Sequence, residues 1–230
     1  MIYNIKNYHN GENYNFNLYN NCYISNIVRE GNIYEAFLHN VFEEYIDKQS
    51  VVVEGGCHIG LHSVKLSRLC KTLHCFEPLQ SSFNLLNQNL SLNNCTNTYL
   101  SKKALSDKKE IVKFNWVGNG NPGASGLEKN PMGNINLNST SQTAQCITID
   151  EIDLDKFDFL KLDIEGYEPK ALKGGLRTIK KFKPIIVLEC WADHYGNSNI
   201  DHTKLTFQHI LDLGYSVKQI SHSDYLFVPI

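Results

Sequence analysis

Apolar positions along the chain follow two periods that trade places at regular intervals. Val51-Val52-Val53 is a β-branched run of the kind found in strands buried on both faces. Leu61, Val64 and Leu69 follow at helical spacing. The pair then repeats. Thr72–Phe76 reads as a strand, and Phe83, Leu86 and Leu90 line one face of a helix. Residues 97–100 read as a third strand that exits through Ala104-Leu105-Ser106-Asp107. Residues 157–163 form a fourth, followed by a helix carrying Ala171, Leu172 and Leu176. Pro184 to Glu189 is the fifth. A helix from Leu205 to Leu213 stops at Gly214, and 216–220 with 224–228 read as a closing hairpin with an antiparallel edge strand. Strands alternating with helices predict an α/β fold with a mostly parallel, seven-stranded sheet.

Two segments break the rhythm. Residues 1–32 alternate aromatic and polar positions (Tyr14, Phe16, Leu18) and predict short strands or a loose hairpin, an N-terminal extension packed on a main domain of residues 33–230. That domain opens with a helix over 33–47, with Phe37, Val41 and Tyr45 on one stripe. Residues 115–145 are rich in Gly, Asn, Ser and Pro and too long for a plain connection. They read either as disorder or as a lid over the site.

The turn after the first strand carries the chemistry. Its pattern, Glu54-Gly55-Gly56-Cys57-His58-Ile59-Gly60, does not fit the G-x-G-x-x-G of a pyrophosphate cradle. A carboxylate at the strand end repels a pyrophosphate and suits a cationic amine. S-adenosylmethionine carries an amine and a sulfonium and no phosphate. Glu77 closes the second strand about 20 residues beyond the glycines, where α/β folds hold a ribose diol. The third exit, Ser106 and Asp107, lies beside the adenine in such a fold, though either residue equally caps a turn. Glu35 opens the first helix of the main domain, where it either complements the helix dipole or reaches the cofactor.

Further acids close the later strands. Asp163 and Glu165 follow the fourth, with Lys161 on the strand face of Asp163, and Glu189 ends the fifth. Lys161 and Glu168 are a candidate structural ion pair. Asp163, Glu165 or Glu189 is a candidate general base. Asp163 and Glu189 are candidate ligands of a divalent cation such as Mg²⁺, Mn²⁺ or Ca²⁺. His194 is a second candidate base, and Trp191 and Tyr195 beside it are candidates to stack on a sugar ring.

Composition narrows the classes. The chain has 230 residues, enough for one sizeable α/β core. A net charge of −2 gives no basic field for nucleic acid or anionic membrane. No apolar run approaches the roughly 20 residues of a membrane span. MIYNIKNYHNGENYNF has neither a basic nor an apolar leader region. Seven scattered cysteines without zinc spacing read as buried reduced thiols, and a cytoplasmic protein is expected. Asparagine takes roughly one position in nine, well above usual usage, which reads as genome composition.

VVVEGGCHIGLHS, CFEP, Asn89 to Asn94, TIDEI, FLKLDIEGYEPKALKGG and KPIIVLE together resemble the FkbM-type methyltransferase family over about residues 35–190. The string Lys161-x-Asp163-x-Glu165-Gly166-x-Glu168 carries most of that resemblance. It implies a class I methyltransferase fold, a Rossmann-like three-layer sandwich, and methyl transfer from S-adenosylmethionine to oxygen, commonly a sugar hydroxyl. It also implies Glu54, Gly56, Gly60 and Glu77 as cofactor residues, with Asp163 and Glu165 near the methyl. Gly55, Cys57 and His58 depart from the family, which often has Ile or Val, Ala and Asn there. The expected function is therefore O-methylation of a sugar or nucleotide sugar. The alternatives are a methyltransferase of RNA, protein or another small molecule, and a non-catalytic binding module on the same scaffold. The absence of a basic aromatic strip and of an N-P-P-Y signature speaks against the nucleic-acid and protein classes.

Overall fold

The structure is a computed structural model that describes residues 2–9, 11–20, 22–116, 140–190, 204 and 206–230. Its core is a seven-stranded sheet. In chain order its strands are β3 (Val51–Gly55), β4 (Thr72–Phe76), β5 (Thr98–Ser101), β9 (Phe159–Leu162), β10 (Ile185–Glu189), β11 (Tyr215–Gln219) and β12 (Asp224–Pro229). They lie in the order β11-β12-β10-β9-β3-β4-β5. Pairing is parallel from β10 through β5. The antiparallel strand β12 belongs to the closing hairpin, between β10 and β11.

The periods read from the sequence sort the two faces. Val52, Leu73, Phe159, Val187 and Leu226 point to one layer, packed by α2 (Ala36–Tyr45), α3 (Leu61–Leu69) and α4 (Gln80–Leu92). Val53, Leu160, Leu162, Ile186, Leu188 and Phe227 point to the other, packed by α5 (Glu168–Lys173), α6 (Leu176–Phe182) and α7 (Gln208–Leu211). With helices on both faces the inner strands β3, β9 and β10 are buried twice, so their code is an apolar run and not an alternation.

Several expectations change. Residues 1–30 are not strands throughout. A hairpin, β1 (Ile2–His9) with β2 (Glu12–Asn17), is followed by a helix, α1 (Tyr23–Arg29), whose Ile24 and Val28 are buried one turn apart. The helix expected around 171–176 is two. Gly174 separates them because a Cβ there would lie 2.1 Å from the Ser106 carbonyl, and Asp150 Oδ1 caps α6 by accepting the Thr178 N–H at 2.8 Å. The Ala104–Leu105 segment leaves the main sheet as β6 of a second one, ordered β6-β8-β7. There β7 (Ile111–Trp116) and β8 (Thr140–Ile147) pair antiparallel, so the flanks of the polar insert form a two-stranded arm. The insert between them, 117–139, lies outside the described residues.

Asparagine has a structural use here. Asn89 and Asn93, four apart on α4, face Asn17 and Asn15, two apart on β2. Each carboxamide accepts one backbone N–H (2.6 and 2.9 Å) and donates to the same residue's carbonyl (3.1 and 2.7 Å). One helical turn rises about 5.4–6 Å and two strand residues about 6.6 Å, so the repeats match. The helix thus satisfies backbone groups on the free edge of the hairpin. No helix among the described residues is long and apolar enough to cross a membrane.

Candidate active site

Parallel register brings the ends of β4, β3, β9 and β10 into one row. Glu54 lies level with Cys75 on one side and Lys161 on the other, all on the face covered by α2–α4. Glu54 is 1% exposed and accepts a 2.6 Å hydrogen bond from Ser63 Oγ on α3. Burial raises its carboxyl above the ordinary range, against the pull of the Lys161 ammonium.

Two glycines are required by the turn. Gly56 has φ +80°, and a Cβ there would lie 1.7 Å from the Asp163 carbonyl oxygen. Gly60 has φ +86°, and its Cβ would meet Leu86 Cδ1 of α4 at 2.7 Å. Both therefore serve packing as well as turning. Between them His58 is left-handed at φ 48°, and its backbone N–H donates to Glu77 Oε2 at 2.8 Å. Leu79 N–H donates to Glu77 Oε1 at the same distance. Each Glu77 oxygen thus holds one amide and keeps a lone pair for a ligand hydroxyl. Burial pushes the Glu77 carboxyl up to about 7 even so. Tyr19, at the end of the N-terminal extension, stacks on the His58 ring at 5.7 Å and bonds Ser82 Oγ at 3.1 Å.

At the ends of β9 and β10 the acids face one another. Lys161, 2% exposed, reaches Asp163 Oδ2 at 3.3 Å. Carboxylates on Asp163, Glu54, Glu35 and Asp224 outweigh the burial that would lower it, so the ammonium is held charged. Burial would raise Asp163, but Lys161 and a hydrogen bond from Glu189 overcome it and hold Asp163 below its usual value. Glu189 moves the other way, pushed up by burial and by the charge of Asp163. The two acids titrate as a coupled pair, Asp163 shifted down and Glu189 up. Glu165 is pushed up to about 8 by burial, then by Asp163. Oxygens of Asp163, Glu165 and Glu189 lie within 4.8 Å of one another.

Glu35 belongs to this group. It precedes α2 in a left-handed conformation, φ 49°, and its side chain makes no capping bond. It meets His62 Nε2 at 2.9 Å, and burial, then Asp163, raises it to about 7. Burial lowers His62 to about 3, so the contact is a hydrogen bond of the neutral imidazole to the carboxyl and not an ion pair.

Asp224 and Tyr34 escaped the sequence reading. Asp224 sits opposite Glu189 in the β10–β12 register, and burial raises it to about 6. Only strand register places it there; an acid opening a hairpin strand gives no such signal. Tyr34 is raised by burial and by Glu35, Asp163 and Glu189, which puts its phenol among them.

Other candidates lie elsewhere. Ser106 is buried, bonds Glu110 Oε1 at 3.3 Å, and packs with Asp107 against Gly174 and Lys173 of the α5–α6 junction. Glu168 accepts the Ile164 N–H at 2.8 Å, while the ammonium of Lys161 is held by Asp163; the pairing of these two residues is not the one expected. His194, Trp191 and Tyr195 lie outside the described residues.

A family model described as the methyltransferase FkbM domain matches residues 55–217. The chain belongs to the FkbM methyltransferase family. The match begins at Gly55, just after Glu54, and runs past the quoted segments into the first three residues of β11. Among solved structures this FkbM-family chain is similar to a methyltransferase FkbM from Methylobacillus flagellatus KT, at 18% identity and TM-score 0.54, over 82% of this chain and 50% of that one. It therefore spans half the length of that protein. It is also similar to a precorrin-6y C5,15-methyltransferase from Geobacter metallireducens GS-15, at 12% identity and TM-score 0.50, over 92% and 91% of the two chains. Both likenesses show the class I methyltransferase fold. A search of curated proteins finds no match.

Proposed function

We propose that this chain is an O-methyltransferase that takes its methyl group from S-adenosylmethionine and places it on a hydroxyl of a sugar, as a nucleotide sugar or within a glycan. One observation carries the reading: the Asp163 carboxyl stands 3.3 Å from the buried Lys161 ammonium, with oxygens of Glu165 and Glu189 gathered beside it at the strand ends. A sugar hydroxyl is a poor nucleophile at neutral pH, and a carboxylate positioned beside it can take its proton as the methyl transfers.

The residues present fit the cofactor. Glu77, with a free lone pair on each oxygen, would take the ribose hydroxyls, and Glu54 would face the amine. Gly56 and Gly60 keep the turn low, and Glu35 and Asp163 add negative charge near the sulfonium. Bound there, S-adenosylmethionine supplies an electrophilic methyl group. The chain's part is to align the acceptor and receive its proton at Asp163 Oδ. Glu189 keeps that carboxylate turned toward the acceptor.

The same oxygens of Asp163, Glu165 and Glu189 suit a divalent cation. A cation there would need all three acids ionised. Lys161 already balances Asp163, so the proton reading is preferred, and full activity in EDTA is expected. His194 stays as the second candidate base; normal turnover in His194→Ala would remove it. Seven cysteines, none in a disulfide, fit the cytoplasm.

Calorimetric titration with S-adenosylmethionine, beside Glu77→Ala, tests the cofactor half. Micromolar binding lost in the variant is expected. Transfer of a labelled methyl group to a panel of sugars, nucleotide sugars and RNA tests the acceptor half. Labelling of RNA with every sugar silent would overturn it.

A further inference from the structure

Beneath the cofactor turn lies a second cluster, which shares Glu54 with the proposed cofactor site and adds two cysteines that methyl transfer does not use. Cys57 follows Gly56, and Cys75 sits on β4 level with Glu54. One oxygen of Glu54 and the two thiol sulfurs lie within 4.8 Å of one another. All three residues are buried, at 1%, 4% and 0% exposure for Glu54, Cys57 and Cys75, and neither cysteine is in a disulfide. Cys57 Sγ donates to the Glu54 carbonyl at 3.4 Å, and Ser63 Oγ, also buried, stands 2.6 Å from the Glu54 carboxylate.

The geometry points to a binding site for a thiophilic divalent cation, zinc or cadmium, held by Cys57, Cys75 and Glu54, whose occupation opposes cofactor binding. Two sulfurs about 2.3 Å from a tetrahedral metal are about 3.8 Å apart, so the donors need to draw in by about 1 Å at most. Two thiolates and one carboxylate neutralise a divalent ion with one negative charge left over, and Lys161 lies level with Glu54 to meet it. On binding, each thiol releases its proton to solvent and forms a sulfur–metal bond, and Glu54 exchanges its Ser63 hydrogen bond for the metal; nothing is oxidised. Burial raises both thiols, which makes them slow nucleophiles toward oxidants, whereas a soft cation displaces the protons directly. The opposition follows from Glu54, which one ligand takes at the other's expense. That half rests on the cofactor reading above; the metal site itself does not.

The test uses the full chain with its thiols reduced and no chelator. Cadmium is added while the thiolate-to-cadmium ultraviolet band is followed, and S-adenosylmethionine is then titrated with and without the metal. One equivalent of cadmium with a strong band is expected. The band should vanish in Cys57→Ala and in Cys75→Ala and persist in Cys146→Ala, a buried thiol of the small sheet. Cadmium should weaken the cofactor by at least about tenfold in the intact chain and leave its affinity unchanged in Cys57→Ala. No band in the intact chain, or a band surviving either of the first two substitutions, would overturn the site. Cadmium binding without effect on the cofactor would remove Glu54 from it and overturn the opposition. Failure of the metal-free chain to bind S-adenosylmethionine would break the cofactor reading alone, since the band is read without cofactor.

Discussion

Glu77 and Glu189 both close parallel strands at the same end of one sheet, and their surroundings differ in kind. Glu77 meets backbone amides, one on each oxygen, from His58 and Leu79. Glu189 meets other acids: Asp163 beside it and Asp224 opposite it in the ladder. The first arrangement fixes a carboxylate in place and leaves it open to a ligand. In the second, like charges sit where they repel, and a proton on Glu189 with an ammonium on Lys161 relieves the repulsion. A group that holds by hydrogen bonds suits binding, whereas a cluster that shares one proton suits proton transfer.

The largest effect expected from breaking this contrast is at Asp163. Asp163→Asn should cut kcat about 10²–10⁴-fold while the S-adenosylmethionine Kd moves only a few-fold. Glu189→Gln imitates the protonated acid and should cost about tenfold or less in kcat. Equal losses in the two variants would place the proton on Asp163 instead. Glu77→Ala comes next. It should weaken the cofactor by about 2–3 kcal/mol, because it removes the ligand contacts and orphans two buried amides. Calorimetry reads it, and Glu77→Gln separates charge from hydrogen bonding.

Glu77 also makes a pH prediction. Its carboxyl is raised from 4.5 to about 7 in the folded chain. The folded state therefore holds more protons at Glu77 than the unfolded between these values, so its contribution to stability falls as pH rises through that window. Thermal melts of the cofactor-free chain should show the fall, and Glu77→Gln should make it shallower, the rest coming from Glu35, Asp224 and Glu165, raised over the same range.

The N-terminal hairpin offers a milder test, since its clasp meets the cofactor turn only through one bond, to the Ile59 carbonyl. Asn89→Ala removes three hydrogen bonds of a fully buried side chain, two to Asn17 and one to Ile59, and should cost about 2–3 kcal/mol by denaturant melt. The smallest effect is at Glu165. It is left-handed at φ 51°, so Glu165→Gly should raise stability by about 0.5–1 kcal/mol while lowering turnover. Glu35 and His58 share that backbone region. Among the described residues the two other left-handed non-glycine residues, Asn94 and Lys183, lie at helix C-termini, where such a conformation is common. Strain away from helix C-termini thus gathers at the site.

Local chemistry was readable from the chain itself. Strand, turn and helix around 51–69 and the acid at Glu77 rest on short-range patterns, because burial on both faces demands apolar runs and a tight turn demands glycine. Asn89 and Asn93 were visible as residues and misread as composition, because their purpose depends on a hairpin more than 70 positions away. Tertiary structure alone decided the proton-sharing cluster. Glu35, Asp163, Glu189 and Asp224 come from four separate elements, and parallel register with one antiparallel strand sets them side by side. A carboxyl's protonation depends on what surrounds it at a few ångströms, and no spacing along the chain encodes that distance.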